Sequence, residues 1–472
     1  MPAFLFLGTL LAVQLMEGTD PAFAALMLLA QIFAIMAFNT LGGFSHVAGS
    51  ICLFSLLPNV TVPEIAHAAV LQPGDFSLLA SLQLAGICAV FYASFYAAAR
   101  FVVQLPTPRP FLDRVKFTMI ELRAISLIAV ICSVSIFAAS LAGGEVQSGS
   151  ALAAVNHFYP ILNPLSVVLA TYVRLQSTQG RSAMNWYIAL LLAITTLPGI
   201  LSASKEGMLS PVFCWLVVCA IQGYRFSKAQ VVALAGVALV TWFFVYPYSQ
   251  NARDPVREAG SVSDKLAVAE AYFRDPTAFS DEAENTDTDI AEYGESSPNL
   301  SIIQRFSLLG SGGMLVHADQ VEGFTGIERY LPALVFFIPH FIWPDRPNPI
   351  LSNELGHKAG FNLARRDTTT GIAISSPALF YDIAGWLGLP VYATLEFGLF
   401  FYGLRCLVGD ARTESVWGLM LIGGTALLAG GISPSGPIDY LESFVAVFSV
   451  LVVTLKVLAY VSEALFARPI SQ

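Results

Sequence analysis

The chain is predicted to be an all-α polytopic membrane protein of about twelve transmembrane helices, with one large extracytoplasmic loop between helices 9 and 10. Three observations predict this. Of its 472 residues, 56% are hydrophobic and only 12% are Asp, Glu, Lys or Arg, about half the charged share of a soluble domain. The apolar residues gather into long runs parted by short polar connections, and mean hydropathy is +0.67. The net charge of −9 is concentrated in one polar stretch: residues 249–330 hold fifteen Asp and Glu against six Lys and Arg, so the rest of the chain is neutral overall.

In chain order, the first apolar run, Ala3 to Met16, lacks a basic start and a small-x-small cleavage site, so it is expected to be a short span and not a cleaved signal. Further runs follow at 22–38, 43–57, 76–99, 117–141, 152–173, 184–201, 207–223, 229–247, 383–404, 415–432 and 441–462. A helix needs about 20 residues to cross the hydrocarbon, fewer where its neighbours thin the bilayer. Connections after even-numbered runs are basic: Arg100, Arg109, Arg114, Lys116 and Arg123, then Arg174 and Arg181, then Arg225 and Lys228. Those after odd-numbered runs are neutral or acidic: Glu17 and Asp20, Glu64 and Asp75, then Glu145. Basic connections stay in the cytoplasm, which puts both termini there and the long loop outside. The chain thus divides into an N-terminal bundle (1–248), the external loop (249–375) and C-terminal helices (376–472). No internal repeat is visible, which argues against a transporter built from paired halves. The six cysteines fall in or beside apolar runs, so no disulfide framework or thiolate zinc site is expected.

Loops longer than about 15 residues are usually functional or disordered, and this one carries basic residues on the side where they are disfavoured. Lys205 stands in the tight turn Leu201-Ser-Ala-Ser-Lys-Glu-Gly, Arg253 follows Tyr246-Pro-Tyr-Ser-Gln-Asn-Ala, and Arg305 and Arg346 lie in Ile303-Gln-Arg-Phe and Trp343-Pro-Asp-Arg-Pro. His157 opens the sixth run, and His357 sits in Gly356-His-Lys. Singly, each has an ordinary reading: an anchor, a salt-bridge partner or a loop histidine. Together they form a cationic set, in which Arg forks match diphosphate oxygens and Lys acts as a point charge. Asp287-Thr-Asp289 offers a metal-like acidic pair, but among Asp281, Glu282, Glu284, Glu292 and Glu295 it reads as a solvated acidic loop, and no metal site is assigned. Glu396 lies inside the tenth run, where an ionisable group is either functional or protonated and hydrogen-bonded to a neighbouring helix.

Four segments carry a family likeness: Phe38-Asn-Thr-Leu-Gly-Gly-Phe, Ser204-Lys-Glu-Gly, Ile338-Pro-His-Phe-Ile-Trp-Pro-Asp-Arg-Pro, and Ser376-Pro-Ala-Leu-Phe-Tyr-Asp-Ile-Ala-Gly-Trp-Leu-Gly. With the long outer loop, the chain resembles bacterial oligosaccharide repeat-unit polymerases of the O-antigen and exopolysaccharide type. Many relatives have Ser-Arg-Gly where this chain has Ser204-Lys-Glu-Gly, and a Glu is common at the place of Asp382. The resemblance implies a membrane glycosyltransferase of the bacterial inner membrane. It would join polyprenyl-diphosphate-linked oligosaccharides on the outer face without nucleotide sugar or other cofactor. It implies essential basic residues, a role carried over to Lys205, Arg253, Arg305 and Arg346. His157 joins them as a candidate glycan contact, and His357, then Asp382, are the candidate bases. Membrane lipid, a chain-length regulator and a flippase are the partners that fit such an enzyme, and no nucleic acid is. Three rival readings stay open: an O-antigen ligase, a flippase or secondary transporter of lipid-linked sugar that would use Glu396 for coupling, and a metal-dependent lipid-phosphosugar transferase.

Overall fold

The computed structural model describes residues 2–50, 57–106 except 70 and 77, 109–110, 117–142, 159–252, 255–256, 259, 261–275, 308–331, 343, 351–361, 374–409 and 415–420. Among them the regular structure is helical. The runs expected at 441–462 and over most of 415–432 lie outside the described residues.

Among the described residues, four helices are long and apolar enough to cross a membrane: α2 (Pro21–Thr40), α4 (Ser81–Gln104), α5 (Met119–Ala142) and Ser376–Val408. Shorter helices are α1 (Pro2–Met16), α3 (Val62–Ala69), α6 (Tyr159–Ser177), α7 (Trp186–Leu201), α8 (Lys205–Ile221) and α9 (Lys228–Val240). A π-helical turn, Thr241–Val245, joins α9 to the short α10 (Tyr246–Asn251). The acidic segment is itself helical where described: α11 (Val262–Arg274), α12 (Leu309–Glu322), α13 (Ile327–Tyr330) and α14 (Leu351–Lys358) precede α15 (Ser376–Val408). The described cysteines, Cys88, Cys132, Cys214, Cys219 and Cys406, are free thiols.

Local chemistry sets several boundaries. Asp20 caps α2 by accepting the Ala22 and Phe23 N–H groups at 2.6 and 3.2 Å, with Pro21 in the first turn where its missing N–H costs nothing. Ser204 caps α8 through the Gly207 N–H. The α7–α8 turn closes because both crossing residues lack a side chain: a Cβ on Gly199 would stand 2.3 Å from the Gly207 carbonyl carbon.

The central layer is α2, α4 and α15 side by side. Lipid tails are as apolar as leucine, so association relies on close packing, which small residues permit. The buried stripe of α2, Met27, Ala30, Ala34 and Ala37, lies against α4, which buries Ala85, Ala98 and Ala99. On its other side α4 meets α15 through rings: Phe91 and Phe95 pack on Phe397 at 5.5 and 4.3 Å, and Phe95 on Phe401 at 5.1 Å. Such contacts add about 0.5–1.5 kcal/mol each beyond area burial. α5 and α6 are tied by Ser133 donating to Asn163 at 2.5 Å and Ser126 to the Ser166 carbonyl at 2.8 Å.

α4 and α15 run parallel. At one end the Gln83 amide donates to the Tyr381 hydroxyl at 2.7 Å. At the other, the Arg405 guanidinium donates to the carbonyls of Val102 and Leu105, capping the open C-terminus of α4. Other helix ends are joined as well. Tyr248, after α9, donates to Ile200 at the end of α7. Gln176, ending α6, donates to Gln222 after α8, and Phe117 packs at a tilt against Trp417 beyond α15.

Candidate functional site

α12 reaches the central layer because it carries adjacent glycines on its buried face. A Cβ on Gly312 would come 2.7 Å from that of Ser375, and one on Gly313 2.6 Å from the Leu79 carbonyl oxygen. That close approach delivers Asp319, in the last turn of α12, next to Asp382 on α15. Asp319 continues the stripe Leu309, Gly312 and Leu315, so a carboxylate stands where the pattern asks for an apolar residue.

The third member is Lys358, last residue of α14. Its ammonium donates to Asp319 Oδ1 at 2.6 Å, Asp382 Oδ1 at 2.5 Å and Thr325 Oγ1 at 2.9 Å, which uses all three donors. Asp382, 0% exposed, has further donors: the Thr325 N–H and hydroxyl also reach Oδ1 at 3.1 and 2.8 Å, and the Tyr330 hydroxyl donates to Oδ2 at 2.6 Å. Asp319 Oδ2 is buried with no hydrogen-bond donor to it. Burial, then the Asp382 carboxyl hydrogen-bonded beside it, push the Asp319 pKa up, with Lys358 opposing. Burial disfavours the Lys358 ammonium too, but the two carboxyl groups outweigh that and hold its pKa above the ordinary value. The neutral arrangement is one proton on Asp319, with Asp382 ionised against Lys358.

Directly after Asp382 the helix breaks. Ala384 (φ −160°, ψ 27°) and Gly385 (φ 65°, ψ −149°) leave helical geometry before α15 resumes. The Asp382 carbonyl, freed from the helix, accepts the N–H groups of Thr325 and Gly326 at 3.1 and 3.4 Å. Gly385 is required twice over, because a Cβ there would enter the Phe324 ring at 2.5 Å and its φ is left-handed. Phe324 packs edge-on to Tyr381, and Tyr381 to Trp386. The break, the 323–326 loop and the Lys–Asp–Asp cluster are one interlocked unit.

The sequence candidates fall unevenly on this unit. Asp382 is at its centre. His357 is exposed on α14, next in the chain to Lys358. Lys205 is the first residue of α8, and its side chain lies outside the described residues, as do His157, Arg253, Arg305, Arg346, Asp287 and Asp289. Glu396 is half-buried on α15, beyond the break. Sequence reasoning missed Asp319, Thr325, Tyr330 and Lys358. For Asp319 the available signal was a lone acid on the apolar stripe of a glycine-containing helix.

No protein-family model matches the chain, and no curated protein or solved structure matches it either.

Proposed function

We propose that the chain is a membrane glycosyltransferase that polymerises polyprenyl-diphosphate-linked oligosaccharide repeat units on the outer face of a bacterial inner membrane. In this reading it has about twelve spans with both termini in the cytoplasm, and residues 249–375 form an outer catalytic segment. A sugar hydroxyl of one lipid-linked chain attacks the anomeric carbon of another. The anomeric carbon–oxygen bond breaks, and its electron pair leaves with the polyprenyl diphosphate. Lys205, Arg253, Arg305 and Arg346 would hold that developing charge, which is worth most at a dry membrane edge. His157 would contact glycan, and His357, exposed beside Lys358, would take the acceptor proton. Asp382 is fully buried and held by Lys358, Thr325 and Tyr330, so its role here is to fix α14, and with it His357, against α15.

The observation that supports this reading is that one segment resembling the polymerase family is held by parts of the long acidic stretch. The Ser376–Trp386 segment is clamped by α12, α13 and α14 of the long acidic stretch through Lys358 and Asp382. The test is the glycan profile of a strain lacking the protein. Single repeat units on lipid support polymerisation, unattached long chains point to a ligase, and accumulation on the inner leaflet points to a flippase.

The flippase deserves a second reading because of the helix break itself. Transporters place substrate and coupling-ion sites at discontinuous helices, and a buried carboxyl pair could carry the proton. Glu396→Gln separates the two, since the amide keeps shape and much of the hydrogen bonding but cannot ionise. The polymerase keeps substantial product in this variant, whereas a flippase coupled through Glu396 leaves lipid-linked units facing the cytoplasm.

A further inference from the structure

A second buried carboxyl lies away from the cluster, among α1, α2 and α3. Glu64 of α3 turns inward, 8% exposed, and lines a partly open cavity with Gln14, Thr19 and Gln31 against a wall that includes Leu7 and Phe23. The cavity is small, with room for about one water or one small ion. Its polar floor is built by long-range bonds. Gln14 donates to the Glu64 carbonyl at 3.0 Å and accepts from Thr19 Oγ1 at 2.7 Å, which in turn accepts the Gly74 N–H at 2.8 Å. The Gln31 amide nitrogen donates to Glu64 Oε2.

Two features remain unaccounted for by packing. Gln31 is 1% exposed, yet its Oε1 has no hydrogen-bond partner. The cavity lining supplies no Lys, Arg or His to balance the Glu64 carboxylate. A buried unpaired carboxylate is too costly to persist, so a positive species must accompany it. Every polar group here offers oxygen, the donor that hard cations prefer.

We infer that Glu64, Gln31, Gln14 and Thr19 form a site for a single monovalent cation, a proton or an alkali-metal ion, exchanged through the open side of the cavity. The site stands apart from the Lys358 cluster and does not depend on the reaction proposed above. The titratable groups around it strengthen the demand for a cation. Glu17 follows α1, Asp20 caps α2, Asp75 lies before α4, and Cys88 of α4 is near Glu64. His67 of α3 cannot serve as counter-charge, because burial lowers its pKa although Asp75 opposes this. Burial pushes the Glu64 pKa up to about 8, with the Gln31 bond working the other way.

The test uses the purified full-length protein in detergent, treated with dicyclohexylcarbodiimide, which adds to a protonated carboxyl in an apolar setting. Adducts are mapped by mass spectrometry across the neutral and mildly alkaline range, with sodium or choline chloride. The expected result is an adduct on Glu64 that falls about tenfold per pH unit above its midpoint near pH 8. Suppression by sodium but not choline at fixed pH identifies an alkali-ion site, and Gln31→Leu then weakens that protection. The same pH profile without a sodium effect identifies a proton site. No Glu64 adduct at any pH, or an adduct that disappears near the ordinary glutamate range, would overturn the inference.

Discussion

Lys358 is the residue on which the described site turns, since its three donors are shared among three elements. Removing a partner from a buried charge pair costs about 3–5 kcal/mol, because the remaining charge is left uncompensated. Lys358→Ala is therefore expected to destabilise the protein by that order in thermal unfolding. Asp319→Asn should cost less, since the amide can still accept from Lys358 and donate to Asp382. Glu64 makes a pH prediction. Its folded pKa of about 8 lies above the ordinary 4.5, so the folded state binds the proton more tightly than the unfolded chain. That contribution is fully present below about pH 4.5 and is lost as pH rises toward 8, to the order of 3–5 kcal/mol. Asp319 adds in the same direction, so Glu64→Gln should flatten the decline without abolishing it, as denaturation midpoints across this range will read. Asp382 was legible in the sequence from its place beside the Ser376–Pro377 segment. Asp319 and Lys358 were not, because their function lies in meeting each other across 39 residues. A single chain carries no local sign of such a pairing.

At the scale of elements, the broken helix is the feature most open to test. Gly385 combines a φ of 65° with a ring at 2.5 Å, whereas Gly398, on the same helix, would place a Cβ in open space. Gly385→Ala is expected to cost about 1–3 kcal/mol or more from backbone strain alone. Gly398→Ala should be neutral or stabilising by up to about 1 kcal/mol. Equal effects in thermal unfolding would remove the break from the account. The apolar run had suggested a helix from residue 383, but α15 begins at Ser376, and 383 marks the end of its first part. Hydropathy locates the lipid-facing stretch, while the first part, with buried Asp382, continues into protein contacts. Other bounds were read closely: the expected 22–38, 117–141 and 184–201 appear as Pro21–Thr40, Met119–Ala142 and Trp186–Leu201. In each the period of burial and the edge of the apolar run coincide. The helices α11 to α14 could not be read this way, because their low hydropathy gives no contrast with the turns between them.

For the whole molecule, the charge alternation supplies the orientation proposed above. A reporter fused near Glu284 should be active only in a form that works outside the cytoplasm, and one at Arg114 only in a cytoplasmic form; reversal of the pair would dissolve the outer site. The proposed polymerisation needs all the outer elements at once: basic residues for the diphosphate, a base for the acceptor, and the Lys358–Asp382 clamp that seats the segment. Arg253→Ala and Arg305→Ala should each abolish long-chain glycan at unchanged protein abundance, with Lys replacements rescuing only in part because the fork is lost. The most direct measurement is reconstitution of the purified protein in vesicles with polyprenyl-diphosphate-linked oligosaccharide and no nucleotide sugar. The account predicts a ladder of lipid-linked multimers, with one polyprenyl diphosphate released for each linkage formed. Transfer of the lipid-linked unit between leaflets with no lengthening of the glycan would contradict it.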